Sequence, residues 1–137
     1  MTSGGGGLVS TADDCLAFAR MLLVTDEANG RRLLSPTSAG RMQSHQRQRE
    51  IGRLFLQGQG WGYGGRVDVT PAEPWNVLGR YGWVDVTGTT AHLVPATGTV
   101  KLLLTQVGMA DPTLTPLMRD FWRSTAGGSN TVTGEAR

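Results

Sequence analysis

At 137 residues the chain is long enough for one ordinary domain and too short for two of typical size. Charged residues make up 18% and the formal net charge is +2, which excludes the extended basic surface that nucleic acid or an anionic membrane requires. A single cysteine, Cys15, excludes an intramolecular disulfide and a thiolate metal cluster, and no apolar run reaches the length of a membrane span.

The N-terminus has no charged-then-apolar leader, so the chain as written is expected to be cytoplasmic; a leader further upstream would reverse that expectation. The run Gly4-Gly5-Gly6-Gly7 could cradle a phosphate at a helix start, but no strand precedes it and no Walker lysine follows. It reads as a flexible lead-in passing close to other backbone.

Ser10-Thr11 followed by Asp13-Asp14 opens a helix, with a hydroxyl cap and acids facing the positive dipole end. Ala12, Cys15, Leu16, Ala19, Leu22 and Leu23 fall on one face, predicting an amphipathic helix to about Val24 that ends before a turn at Asn29-Gly30. Cys15 fits there as a small apolar residue. Ser35 and Pro36 repeat the pattern, as cap and first helical residue of a short helix through about Ser44. The next stretch, HQRQREIGRLFLQGQG, reads as an irregular or partly helical connection.

From Trp61 the pattern turns to strands. WGYGGRVDV alternates Tyr63, Gly65, Val67 and Val69 against Gly64, Arg66 and Asp68, and Thr70-Pro71 closes it. LGRYGWVDVTG, TTAHLVP and GTVKLLLTQVG predict three further strands, the last two joined tightly through Pro95–Gly98. After Asp111-Pro112 a second amphipathic helix follows, with Leu114, Leu117, Met118, Phe121 and Trp122 at helical spacing. Residues 126–137 are small and polar and are expected to be disordered. Helix, short helix, about four antiparallel strands and a helix make an α+β fold.

Chemical motifs are sparse. Gly60-Trp-Gly62-Tyr-Gly-Gly65 fits a dinucleotide fingerprint in spacing, but a strand follows it where a helix N-terminus is needed. His45 and His92 lack the neighbours of a metal site, and a histidine within a strand, as His92 is, is usually held by a hydrogen bond. Asp13 and Asp14 serve the helix dipole and form no acid–base dyad. No cofactor or metal is expected.

Six segments in order, SGGGGLVSTADDCLAFARMLL, RRLLSP, GWGYGGRVDV, GRYGWVDVTGTTAHLVP, KLLLTQVG and DFW, resemble the C-terminal part of the serine β-lactamase-like family, which includes class C β-lactamases, related penicillin-binding proteins and family VIII carboxylesterases. The resemblance implies that residues 1–125 are the C-terminal portion of a β-lactamase-like domain. In that family a serine in S-x-x-K attacks a lactam or ester carbonyl, a lysine and a tyrosine in Y-x-N move its proton, and backbone N–H groups hold the oxyanion. Lys101 is the single lysine among 13 basic residues, and Gly98 stands three before it. Gly65 and Trp83 stand two after Tyr63 and Tyr81, so neither motif is present and no catalytic residue is assigned.

The resemblance assigns one site. Gly82-Trp83-Val84-Asp85-Val86-Thr87-Gly88-Thr89 is similar to a third motif of the form G-W-D-G-G-x-G-T, with Asp85 and Val86 in place of two glycines. Trp83, Val84, Asp85 and Val86 are the candidate substrate-binding residues, with the Val86 N–H as the implied oxyanion donor. Asp85 is expected to crowd the strand edge and to oppose an anionic β-lactam. The implied partner of the intact protein is a small ester or β-lactam.

Relatives of this kind carry the S-x-x-K and Y-x-N region ahead of the matching segment, and draw two sheet strands from it. The chain alone is therefore expected to be inactive and to show an unpaired edge at TVKLLLTQV, inviting self-association. The alternatives are a non-catalytic interaction module that keeps the scaffold and a split enzyme completed by another chain.

Overall fold

The computed structural model describes residues 9–23, 33–46, 58–111 and 113–126. The glycine run, the Asn29-Gly30 turn, most of the 45–60 connection and the tail beyond 126 lie outside the described residues. Among the described residues, three α-helices and a five-stranded antiparallel sheet make an α+β arrangement.

Helix α1 is Ala12–Leu22. Thr11, rather than Ser10, is its cap, accepting the Asp14 N–H at 3.1 Å. Ala19, Leu22 and Leu23 are buried, while Ala12, at the open end of the predicted face, is exposed. Helix α2 is Pro36–Met42, capped by Ser35. The Gln43 side chain donates to the carbonyls of Leu22 and Ala39 and so fastens the end of α1 to α2.

The strands are β1 Gln59–Trp61, β2 Arg66–Asp68, β3 Tyr81–Val84, β4 Thr90–Val94 and β5 Thr99–Leu103, joined in chain order as a meander. The single strand expected from Trp61 onward is instead a hairpin. The Gly62 N–H donates to the Gly65 carbonyl at 2.8 Å, and Gly64 takes φ +81°. Three glycines in four residues let the chain reverse where the alternation alone reads straight through. Between β4 and β5, Pro95–Thr97 forms a 3₁₀ turn closed by Gly98 at φ +64°.

Helices α1 and α3 lie on opposite faces of the sheet. Ala19, Leu22 and Leu23 of the α1 segment pack on Val67, Tyr81 and Leu93. On the opposite face Met118 and Trp122 of α3, Pro116–Ser124, pack on Val84 and Trp75. Met118 and Trp122 are 0% and 2% exposed, and each buried side chain contributes on the order of 1.5–3 kcal/mol. Leu117, placed on the apolar face by spacing, is exposed. Among the described residues no helix is long and apolar enough to cross a membrane.

Candidate functional site

Strand β3 is unevenly paired. It runs beside β4 along its whole length, from Tyr81 to Val84, but meets β2 only at Tyr81 and Gly82. Among the described residues, its edge is therefore open from Trp83 onward. Gly82 keeps the sheet tight here, because a Cβ at this position would run into the Ala91 carbonyl and His92.

The four residues singled out in the sequence divide by environment. Val84 is buried in the α3 core. Trp83 is 41% exposed and meets Trp61 of β1 edge to face at 4.8 Å, with the Arg66 guanidinium 4.7 Å over its ring. Asp85 turns into its own loop: its N–H donates to Thr89 O and its Oδ1 accepts the Thr87 N–H, both at 2.9 Å. Those bonds from Thr87 hold the carboxyl below the usual carboxylate range.

Val86 is 72% exposed, and its carbonyl accepts the Met109 N–H at 2.8 Å. Among the described residues no acceptor engages the Val86 N–H. Gly88, at φ +92°, lies against the Val107 carbonyl, so this turn and the loop after β5 are stitched together.

A buried polar network lies behind this edge. Asp68 accepts from Arg80 Nε at 2.8 Å, Gln59 Nε2 at 2.6 Å, Asn76 Nδ2 at 2.9 Å and the Val77 N–H at 3.2 Å. Arg66 Nη1 donates to Gln59 Oε1 at 3.3 Å, linking the network to Trp83. Burial first, and then the Arg80 charge, lowers the Arg66 pKa to about 10, against a smaller raising effect of Asp68. His92 shares a hydrogen bond with Thr90 Oγ1 at 2.8 Å and meets Trp122 edge to face at 5.1 Å. Burial, with Arg80, Arg66 and Lys101 nearby, pushes its pKa well below the imidazole value. Among the described residues, the buried donors Arg66 Nε, Arg80 Nη2 and Trp122 Nε1 meet no acceptor.

The network escaped sequence reading. Its one signal was charge inside strand-like segments, at Arg66, Asp68 and Lys101. Trp61 and Arg66 become neighbours of Trp83 only through the β1–β2 hairpin, where the alternation alone predicts one strand.

Several hydroxyls and the lysine amine are committed elsewhere. Lys101 Nζ donates to the Thr125 carbonyl at the end of α3. Ser35, Ser44 and Ser124 donate within or beside their own helices, and Tyr81 donates to the Tyr63 carbonyl at 2.6 Å. Burial raises the Tyr81 pKa. Among the described residues no group of three or more potential metal ligands comes together.

The chain is 35% identical over 115 residues to Protein Rv1367c of Mycobacterium tuberculosis (strain ATCC 25618 / H37Rv), covering 76% of this chain and 29% of that protein. An uncharacterized protein of the CDC 1551 / Oshkosh strain matches at the same 35% over 115 residues, again 76% of this chain and 29% of the relative. Penicillin-binding protein 4 of Amycolatopsis lactamdurans is 33% identical over 129 residues, covering 89% of this chain and 32% of that protein. The chain thus spans about a third of the length of the curated relatives it matches. No family model matches it.

Proposed function

We propose that this chain is the C-terminal portion of a β-lactamase-related serine hydrolase whose intact form cleaves a β-lactam or carboxylic ester through an acyl-serine. This portion contributes the β3 edge beside which the acyl group lies; the serine, its lysine and its tyrosine come from outside it. The observation that carries the reading is the open edge from Trp83 to Val86, with an uncommitted N–H at Val86. A carbonyl oxygen that becomes negative on attack needs a preorganised donor in such a place. The similarity to penicillin-binding protein 4 supports the reading at the level of the scaffold. The ionised Asp85 beside the edge favours an uncharged ester over an anionic lactam.

Two measurements test this. Intact-mass analysis after exposure to benzylpenicillin, with nitrocefin and p-nitrophenyl ester assays, is expected to give no adduct and no turnover on this chain. The coding DNA upstream is expected to continue in frame through S-x-x-K and Y-x-N. An adduct on any serine of this chain, or an upstream sequence lacking both motifs, refutes the proposal.

The second reading is an interaction module without chemistry. It is favoured by side chains at Asp85 and Val86 where the resembling motif carries glycines. An upstream region without a catalytic motif supports it.

A further inference from the structure

The tryptophans divide into two pairs. Trp75 and Trp122 are buried together in the α3 core. Trp61 and Trp83 meet instead where β2 stops pairing with β3, and Trp83 stays 41% exposed.

This second pair is held firmly. Trp61 stands opposite Arg66 in the hairpin register, and its outer backbone groups are both occupied. Its N–H donates to His45 Nδ1 at 3.2 Å, and its carbonyl accepts the Gln46 N–H at 2.8 Å. Arg66 is tied to Gln59 Oε1, which fixes the guanidinium 4.7 Å over the Trp83 ring. The two indoles lie 81° apart, with ring centroids separated by 4.8 Å. Two rings at right angles, one backed by a cation, make a corner where a third ring can stack on one wall and meet the other by its edge. A corner fixed on both sides loses little freedom when it is filled.

Its position says what fills it. Pairing with β2 ends at Gly82, so the corner lies at the start of the open β3 edge. Trp83 and Val86 are three residues apart, a span of at most about 10 Å in extended chain. A carbonyl held at the Val86 N–H thus places an aromatic group on a short arm beside Trp83. Asp85 lies between them, its carboxyl held ionised by Thr87, and selects against a carboxylate on that arm.

We infer that Trp61, Trp83 and Arg66 form a subsite for an aromatic ring, and that the substrate taken at the β3 edge is a neutral arylalkyl ester. The ester half of this inference rests on the function proposed above; the ring half needs only the corner.

Indole N–H signals of isotope-labelled protein, titrated with methyl phenylacetate and separately with methyl cyclohexylacetate, test it. The measurement is made on this chain and on the longer protein expressed with its upstream coding region. Saturable shifts are expected at Trp61 and Trp83, with Trp75 and Trp122 unmoved and reporting an intact core. The phenyl ester should bind about fivefold tighter than the cyclohexyl ester. Trp61→Leu is expected to abolish that preference, and Trp61→Phe, which keeps a ring, to retain it. Four indoles shifting alike, no saturation, or equal binding of the two esters would each overturn the inference. Ester turnover by the longer protein with Trp61 and Trp83 unmoved would sink the ring subsite and leave the proposed function standing. Ring binding without turnover, and without a catalytic motif upstream, would do the reverse.

Discussion

Asp68 and Arg80 are joined twice. Their side chains pair at 2.8 Å with 2% and 1% exposure, and the Asp68 N–H donates to the Arg80 carbonyl at 2.9 Å. Removing one partner strands a charge in a site closed to water. Asp68→Ala is expected to cost about 3–5 kcal/mol in urea unfolding. The double replacement Asp68→Leu with Arg80→Met should cost much less, since neither charge is then left behind. Equal losses for the single and double variants would show that the pair is not coupled.

His92 makes stability depend on pH. Its folded pKa lies well below the ordinary 6.5, so the unfolded chain takes up the proton first as pH falls. The stabilisation is complete above about pH 6.5 and is lost below it, at up to about 1.4 kcal/mol per pH unit, until the folded imidazole also protonates. Arg80, Arg66 and Lys101 face it as cations, with Trp122 from α3 and Thr90 from its own strand. Denaturant midpoints between pH 7.5 and 5.5 check this; His92→Gln should flatten the profile. Asp85 and Asp111, both held below 3.8, do not titrate in that window.

The turn after β3 depends on Gly88. At φ +92° an L side chain is strained, and its Cβ would collide with the Val107 carbonyl. Gly88→Ala is expected to cost about 1–3 kcal/mol. It should also speed exchange of the Met109 amide, whose bond to Val86 holds the two loops together. An unchanged Met109 amide would separate the glycine from the stitching of the loops.

Trp61 and Trp83 meet edge to face at a partly exposed surface. A double-mutant cycle on Trp61→Ala and Trp83→Ala is expected to give a coupling of about 0.5–1.5 kcal/mol. The near-ultraviolet circular dichroism should lose more in either single variant than one indole accounts for. Additive unfolding energies would reduce the pair to coincidence.

The helices were legible because their signals are local. Thr11 and Ser35 cap the first two, and the spacing of Ala19, Leu22, Met118 and Trp122 sets the buried faces of α1 and α3. The β1–β2 hairpin was not legible, because glycines at 62, 64 and 65 preserve an alternation that the backbone reverses through. The buried network was hidden for another reason. Asp68 meets Arg80 only once the intervening loop returns, and His92 stands beside Lys101 only in the β4–β5 register. Such pairings are set by tertiary register and leave no trace in any short window. At the β3 edge, resemblance marks Trp83 and the Val86 N–H alike, while the bonds that leave that N–H without an acceptor among the described residues belong to the turn that follows.

Lys101 has a practical consequence. Because its ammonium is tucked under the last turn of α3, an acylating reagent can reach the chain's single lysine amine only while that helix is lifted. The rate of its modification thus measures how often the helix leaves the sheet, and a slow, temperature-steep rate is the signature of a docked one.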